Sequence, residues 1–216
     1  MLPGKPGMPR LNGSVDDNRL TRQTTSVGAQ YLARRKKNLL HCETMKNLVL
    51  VGFMGSGKTS AGKLAAQRLG MKFLDMDDMI EQRHNQKISQ IFQMKGEAFF
   101  RQQERSLVRE LAAGEGRVIA TGGGVVLDPN NLRDFGRMSV IICCWVDANV
   151  AYERTKDAKH RPLLGEGGDG LSRIEALLRE RAFLYKAIPN RVDTSALSVE
   201  QQADEIVRIY KQQTGG

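Results

Sequence analysis

Gly52-Phe53-Met54-Gly55-Ser56-Gly57-Lys58-Thr59 brings three glycines, a lysine and two hydroxyls into eight residues. Glycines reach backbone angles closed to other residues and let N–H groups crowd around anionic oxygens. Lys58 adds a point charge for β- and γ-phosphates, and the Thr59 hydroxyl offers an oxygen to Mg²⁺, a hard cation that keeps several of its waters. The apolar run Leu48 to Val51 before the loop and the helical pattern Ser60 to Leu69 after it supply a strand and a helix N-terminus, where amides converge on an anion. A nucleoside triphosphate is the expected ligand, held by Gly55, Ser56, Gly57, Lys58, Thr59 and Ser60.

Further along, Asp75-Met76-Asp77-Asp78 stands where a second strand ends, and ligands of open α/β sheets lie beyond the carboxyl ends of strands. One carboxylate there can hold a metal through water while another orients a hydroxyl for phosphoryl transfer. N-capping of a helix by Asp77 or Asp78 is the bland reading of the same residues. Gly96-Glu97-Ala98-Phe99-Phe100-Arg101 follows within a helical region, and Thr121-Gly122-Gly123-Gly124 follows an apolar strand, where bare backbone can approach a ligand. Two later arginines, Arg161 and Arg181, could each be ordinary surface residues. Their recurrence beside glycines and aromatics fits paired hydrogen bonds to carboxylate or phosphate.

The elements that must position these groups alternate between apolar runs and helical segments, the pattern of an α/β fold with a mostly parallel sheet. Strands are expected at Asn47 to Val51, Lys72 to Leu74, Arg117 to Ala120, Val140 to Val146 and Arg191 to Asp193. Helices are expected at Lys58 to Leu69, Asp77 to Arg83, Ile88 to Ala113, Pro129 to Phe135, Ala148 to Lys156, Leu171 to Ala187 and Ser198 to Gln212, the last with Ser198 as N-cap. The glycine-rich stretch around 156–170 suits a lid that excludes water from a reacting phosphate.

Residues 1–44 form a basic, Pro-containing extension without apolar periodicity, carrying +5 of the net +9 charge; they read as a solvated segment outside a 45–216 domain. A translation start at Met45 is a further expectation. No apolar run approaches 18 residues, so no transmembrane helix is expected. Cys42, Cys143 and Cys144 have neither zinc spacing nor a disulfide framework and read as reduced thiols of a cytoplasmic protein, Cys143 and Cys144 on opposite faces of one strand.

In order, G-x-x-G-x-G-K-[ST], D-x-D, G-x-x-x-F-R, T-G-G-G, R-P-L-L and R-x-x-L-Y run through about residues 46–212, and this series resembles the shikimate kinase family. The resemblance implies a three-layer, nucleoside monophosphate kinase-like P-loop fold with a five-stranded parallel sheet. It implies transfer of the γ-phosphoryl of ATP to the 3-hydroxyl of shikimate, with Mg²⁺, in the route to aromatic amino acids. By motif match Asp77 is the candidate base on the shikimate hydroxyls, Asp75 holds Mg²⁺ through water and Thr59 ligates it. Arg101 and Arg181 clamp the substrate carboxylate beside Gly122, Gly123 and Gly124, Lys58 and Arg161 act on the phosphates, and Arg154 stacks on adenine. Shikimate and ATP are the expected partners, without membrane or nucleic acid, and a monomer is expected. Val192 to Leu197 departs from the family's Arg or Gln near the base, leaving backbone or apolar contact there.

Two other readings stay open on the residues alone. A gluconate kinase-like enzyme would share the P-loop, and a silent nucleotide-binding module could use the basic tail on nucleic acid.

Overall fold

The structure, a computed structural model, describes residues 45–156 and 170–215. The extension at 1–44 and most of the expected lid, Arg161 included, lie outside the described residues.

Five strands, β1 (Asn47–Gly52), β2 (Lys72–Asp75), β3 (Arg117–Ala120), β4 (Ser139–Trp145) and β5 (Arg191–Asp193), form one sheet in the order β2-β3-β1-β4-β5. Every pairing is parallel. Seven helices cover it among the described residues: α1 (Lys58–Leu69), α2 (Met76–His84), α3 (Ile88–Ala112), α4 (Pro129–Gly136), α5 (Ala148–Glu153), α6 (Gly170–Lys186) and α7 (Val199–Thr214).

The central strand β1 is buried along its whole length, as befits a parallel strand covered on both faces. Alternation sends Leu48 and Leu50 into one core with Ala61 and Ala65 of α1 and Ile206 of α7. Val49 and Val51 enter the other core with Met76 of α2, Leu107 of α3, Phe135 of α4 and Ile174 of α6. Cys143 and Cys144 divide between these two cores as the strand period requires. This is the three-layer arrangement expected, and each expected strand is found.

Ser198 caps α7 in a reciprocal box: its hydroxyl accepts from Gln201 N at 3.3 Å, and the Gln201 side chain accepts from Ser198 N at 2.8 Å. Two details depart from expectation. The cap of α2 is Asp75, not Asp77 or Asp78, because the strand runs one residue further and leaves Asp75 extended, with its Oδ1 accepting from Asp77 N at 3.0 Å. And Ile88–Ala112 is two helices joined at Gly96, whose φ of 79° and ψ of 169° break the helical path just before the Phe99-Phe100-Arg101 turn.

Candidate active site

Register decides what meets at the sheet's carboxyl edge. Leu50 of β1 pairs with Ala120 of β3, and Ala120 pairs with Asp75 of β2, so three strands deliver their exit loops side by side. One cleft of about 630 Å³ is lined by the P-loop, Asp75, Asp77, the Thr121 to Gly124 turn, Arg101, Arg154 and Arg181. Of the candidate ligand and metal residues lying within the described residues, only Ser56 is absent from the lining. It is wholly buried, and its hydroxyl accepts from Lys58 Nζ at 3.3 Å.

At one end, Gly57 takes φ 83° at the N-cap of α1, a conformation that leaves the first turn's amides open toward the cleft. Lys58 is largely buried and its ammonium donates to the carbonyls of Gly52 and Phe53, each at 2.9 Å. The cation is thereby fixed inside the loop it must serve. Thr59 Oγ1 donates to Asp75 Oδ2 at 2.8 Å, so the other carboxylate oxygen can cap α2 while the hydroxyl's lone pairs stay unspent on that bond. Arg154 bridges the loop to the turn after β5, donating to Gly55 O at 3.2 Å and to Thr194 O at 2.9 Å. Leu197 and Val199 give this end an apolar wall.

At the other end, Arg101 donates to Glu104 Oε2 at 2.8 Å and through Nε to Glu97 Oε1 at 3.2 Å. These two carboxylates outweigh the burial that would otherwise lower its pKa, and raise it. Glu104 is buried; burial pushes its carboxyl above the usual range, while Arg101 and Arg181 pull the other way. Its Oε1 finds no hydrogen-bond partner among the described residues, and neither does Nε of the buried Arg181. Asp77 Oδ1 and Glu104 Oε1 both lie about where a Cβ on Gly122 would be touched, at 2.9 and 3.0 Å. Two guanidinium groups, two carboxylates and a run of bare backbone thus face the same space.

Glu104 and Gln202 are contributors that sequence reasoning passed over, and Tyr185, quoted only as the end of the R-x-x-L-Y motif, was given no role. Glu104 had a legible signal: Phe100, Glu104, Leu107 and Leu111 fall on one helical stripe and are all buried, so an acid sits in an apolar row three residues from Arg101. Tyr185 donates to Gly123 O at 2.7 Å, a contact that spans 62 residues and leaves no local trace.

A parallel sheet with this strand order, a P-loop after its central strand and acidic and arginine groups across the cleft define a P-loop kinase. The family model described as shikimate kinase matches residues 54–211. The chain is 41% identical to a shikimate kinase of Thermodesulfovibrio yellowstonii over 172 residues, 80% of this chain and 99% of the relative. It is 43% identical to one from Pelotomaculum thermopropionicum over 168 residues, 78% of this chain and 97% of the relative. Among solved structures, the shikimate kinase from Acinetobacter baumannii in complex with shikimate superposes with a TM-score of 0.75 at 31% identity, over 79% of this chain and 96% of that one. A gluconokinase from Sinorhizobium meliloti, at 14% identity and TM-score 0.51, shares the fold alone. The chain belongs to the shikimate kinase family.

Proposed function

We propose that this protein transfers the γ-phosphoryl group of ATP to the 3-hydroxyl of shikimate, giving shikimate 3-phosphate and ADP in the cytoplasmic route to aromatic amino acids. The observation that carries the reading is the pair Arg101 and Arg181, which face the cleft opposite the P-loop, with a buried Arg181 Nε that finds no acceptor among the described residues. A buried donor without a partner is costly, and a carboxylate on the acceptor substrate supplies what it lacks. Family membership and the shikimate complex of the Acinetobacter relative support the same choice over gluconate.

In this reading Gly55, Gly57 and Ser60 line the phosphate end and Lys58 draws the β- and γ-phosphates toward the acceptor. Asp77 accepts the proton of the attacking hydroxyl; the oxygen bonds to the γ-phosphorus as the bond to the β–γ bridging oxygen breaks, and ADP leaves. Arg161, outside the described residues, is assigned to the phosphates by motif match, where positive charge would stabilise the transition state. Gly122, Gly123 and Gly124 offer backbone to the acceptor, and Arg154 stacks on the base.

Thr59 and Asp75 fit Mg²⁺: a hydroxyl oxygen and a carboxylate lie 2.8 Å apart beside the P-loop, and the hydroxyl gives its hydrogen to Asp75, leaving lone pairs for the ion. Thr59 would hold it directly and Asp75 through water. When bound, the ion neutralises charge on the transferring phosphoryl group. Calorimetric titration tests the reading: shikimate should bind, and its analogue with a hydroxymethyl group in place of the carboxylate should bind far more weakly. Equal affinities would remove the role given to the two arginines.

A further inference from the structure

The three carbonyls of the glycine turn are each held. Gly122 O accepts from Val125 N at 3.2 Å and Gly124 O from Leu127 N at 3.0 Å, both within the turn that leads into the 3₁₀ segment Val125–Leu127. Gly123 O is the exception, since its partner is the Tyr185 hydroxyl of α6, at 2.7 Å. In a planar trans peptide the N–H points opposite to the carbonyl of the same unit, so fixing the Gly123 carbonyl fixes the direction of the Gly124 N–H. No backbone acceptor meets the Gly123 or Gly124 amide among the described residues.

Tyr185 also neighbours a second element of the acceptor end. Arg181 stands one helical turn earlier on α6, so the two side chains share one face of that helix. Burial holds the phenol far above its usual range, so it is protonated and a donor at neutral pH. Tyr185 itself is 1% exposed and does not line the cleft, so any effect on substrate must pass through Gly123, Gly124 or Arg181.

We infer that Tyr185 is a positioning residue for the acceptor substrate: its hydroxyl locks the Gly123–Gly124 peptide against the face of α6 that carries Arg181, so that turn and arginine together recognise a carboxylate-bearing ring. The inference rests on the proposed function, through the assignment of this end of the cleft to the acceptor. The bland alternative is a core tyrosine that only stabilises α6 against the turn.

Tyr185→Phe separates the two, because it keeps the packed ring and removes one oxygen. Steady-state kinetics on wild type and variant should show the KM for shikimate rising about tenfold, the worth of one hydrogen bond, with the KM for ATP changed less than about twofold. The penalty should shrink in an Arg181→Lys background, since two residues acting as a unit do not add. A variant with a lowered melting temperature and unchanged KM for shikimate, or with both KM values raised equally, overturns the positioning role. The wild-type arm of the same assay keeps the failures apart: no shikimate-dependent turnover by wild type refutes the function, whereas turnover with an unaltered variant refutes the role of Tyr185 alone.

Discussion

The Arg101 guanidinium occupies the space in which a Cβ on Gly124 would stand, with Nη1, Nη2 and Cζ all against that point. The last glycine of the turn is therefore the floor on which the arginine rests, and any side chain there must push the cation out of place.

Gly124→Ala should raise the KM for shikimate on the order of 10- to 100-fold, the worth of a charged hydrogen bond, and leave the KM for ATP nearly unchanged. Steady-state kinetics with each substrate varied in turn checks it. An unchanged KM for shikimate would show that Arg101 does not reach the acceptor from this position.

Asp77→Asn should lower kcat by about 10²- to 10⁴-fold, the range of a lost general base, with ATP affinity little affected. Because Asp75 and not Asp77 caps α2, the variant should melt close to wild type, whereas Asp75→Ala should lose about 1 kcal/mol of stability with the cap. Melting curves and single-turnover rates on the two variants read both halves. Normal kcat in Asp77→Asn would take the proton-accepting role away from Asp77.

How much of this could be read from the chain depended on range. The P-loop, the Asp75 to Asp77 segment and the three glycines are contiguous, and each strand expected before them is present because apolar runs bounded by turns carry their own signal. The kink at Gly96 was missed because a glycine inside a long periodic stretch is compatible with either a straight helix or a break. The cap of α2 was misplaced by the one-residue ambiguity of a strand end. Tyr185 on Gly123 and Arg154 on Gly55 and Thr194 join residues 40 to 99 apart, and no local pattern encodes such contacts.

Glu104 should make stability depend on pH. Burial raises its carboxyl above the ordinary 4.5, so the folded protein holds the proton to higher pH than the unfolded chain. Its stability contribution therefore falls as pH rises from about 4.5 through the raised value. Glu104→Gln does not titrate, so the melting temperature of the variant minus that of wild type should grow between about pH 4 and pH 7. A constant difference across that range would mean that Glu104 is not proton-linked to folding.

Cys143 and Cys144 should be inert in the native protein, since burial pushes their thiols to about 11 and about 12. At pH 8 a thiol of the first kind is ionised on the order of once in a thousand, and only the thiolate attacks. Iodoacetamide followed by peptide mapping should find both unmodified in the folded protein and both modified in denaturant. Rapid native labelling of either residue would contradict the packing of β4 between two cores.

The central claim is that the P-loop and the arginine end of one cleft serve two substrates in a single transfer. ADP release in a coupled assay, with ATP and Mg²⁺ present and shikimate, gluconate or a nucleoside monophosphate offered as acceptor, tests it most directly. The account predicts rapid release with shikimate, abolished in Lys58→Met, and only background with the other two acceptors. Release that ignores shikimate, or that gluconate stimulates equally, would contradict it.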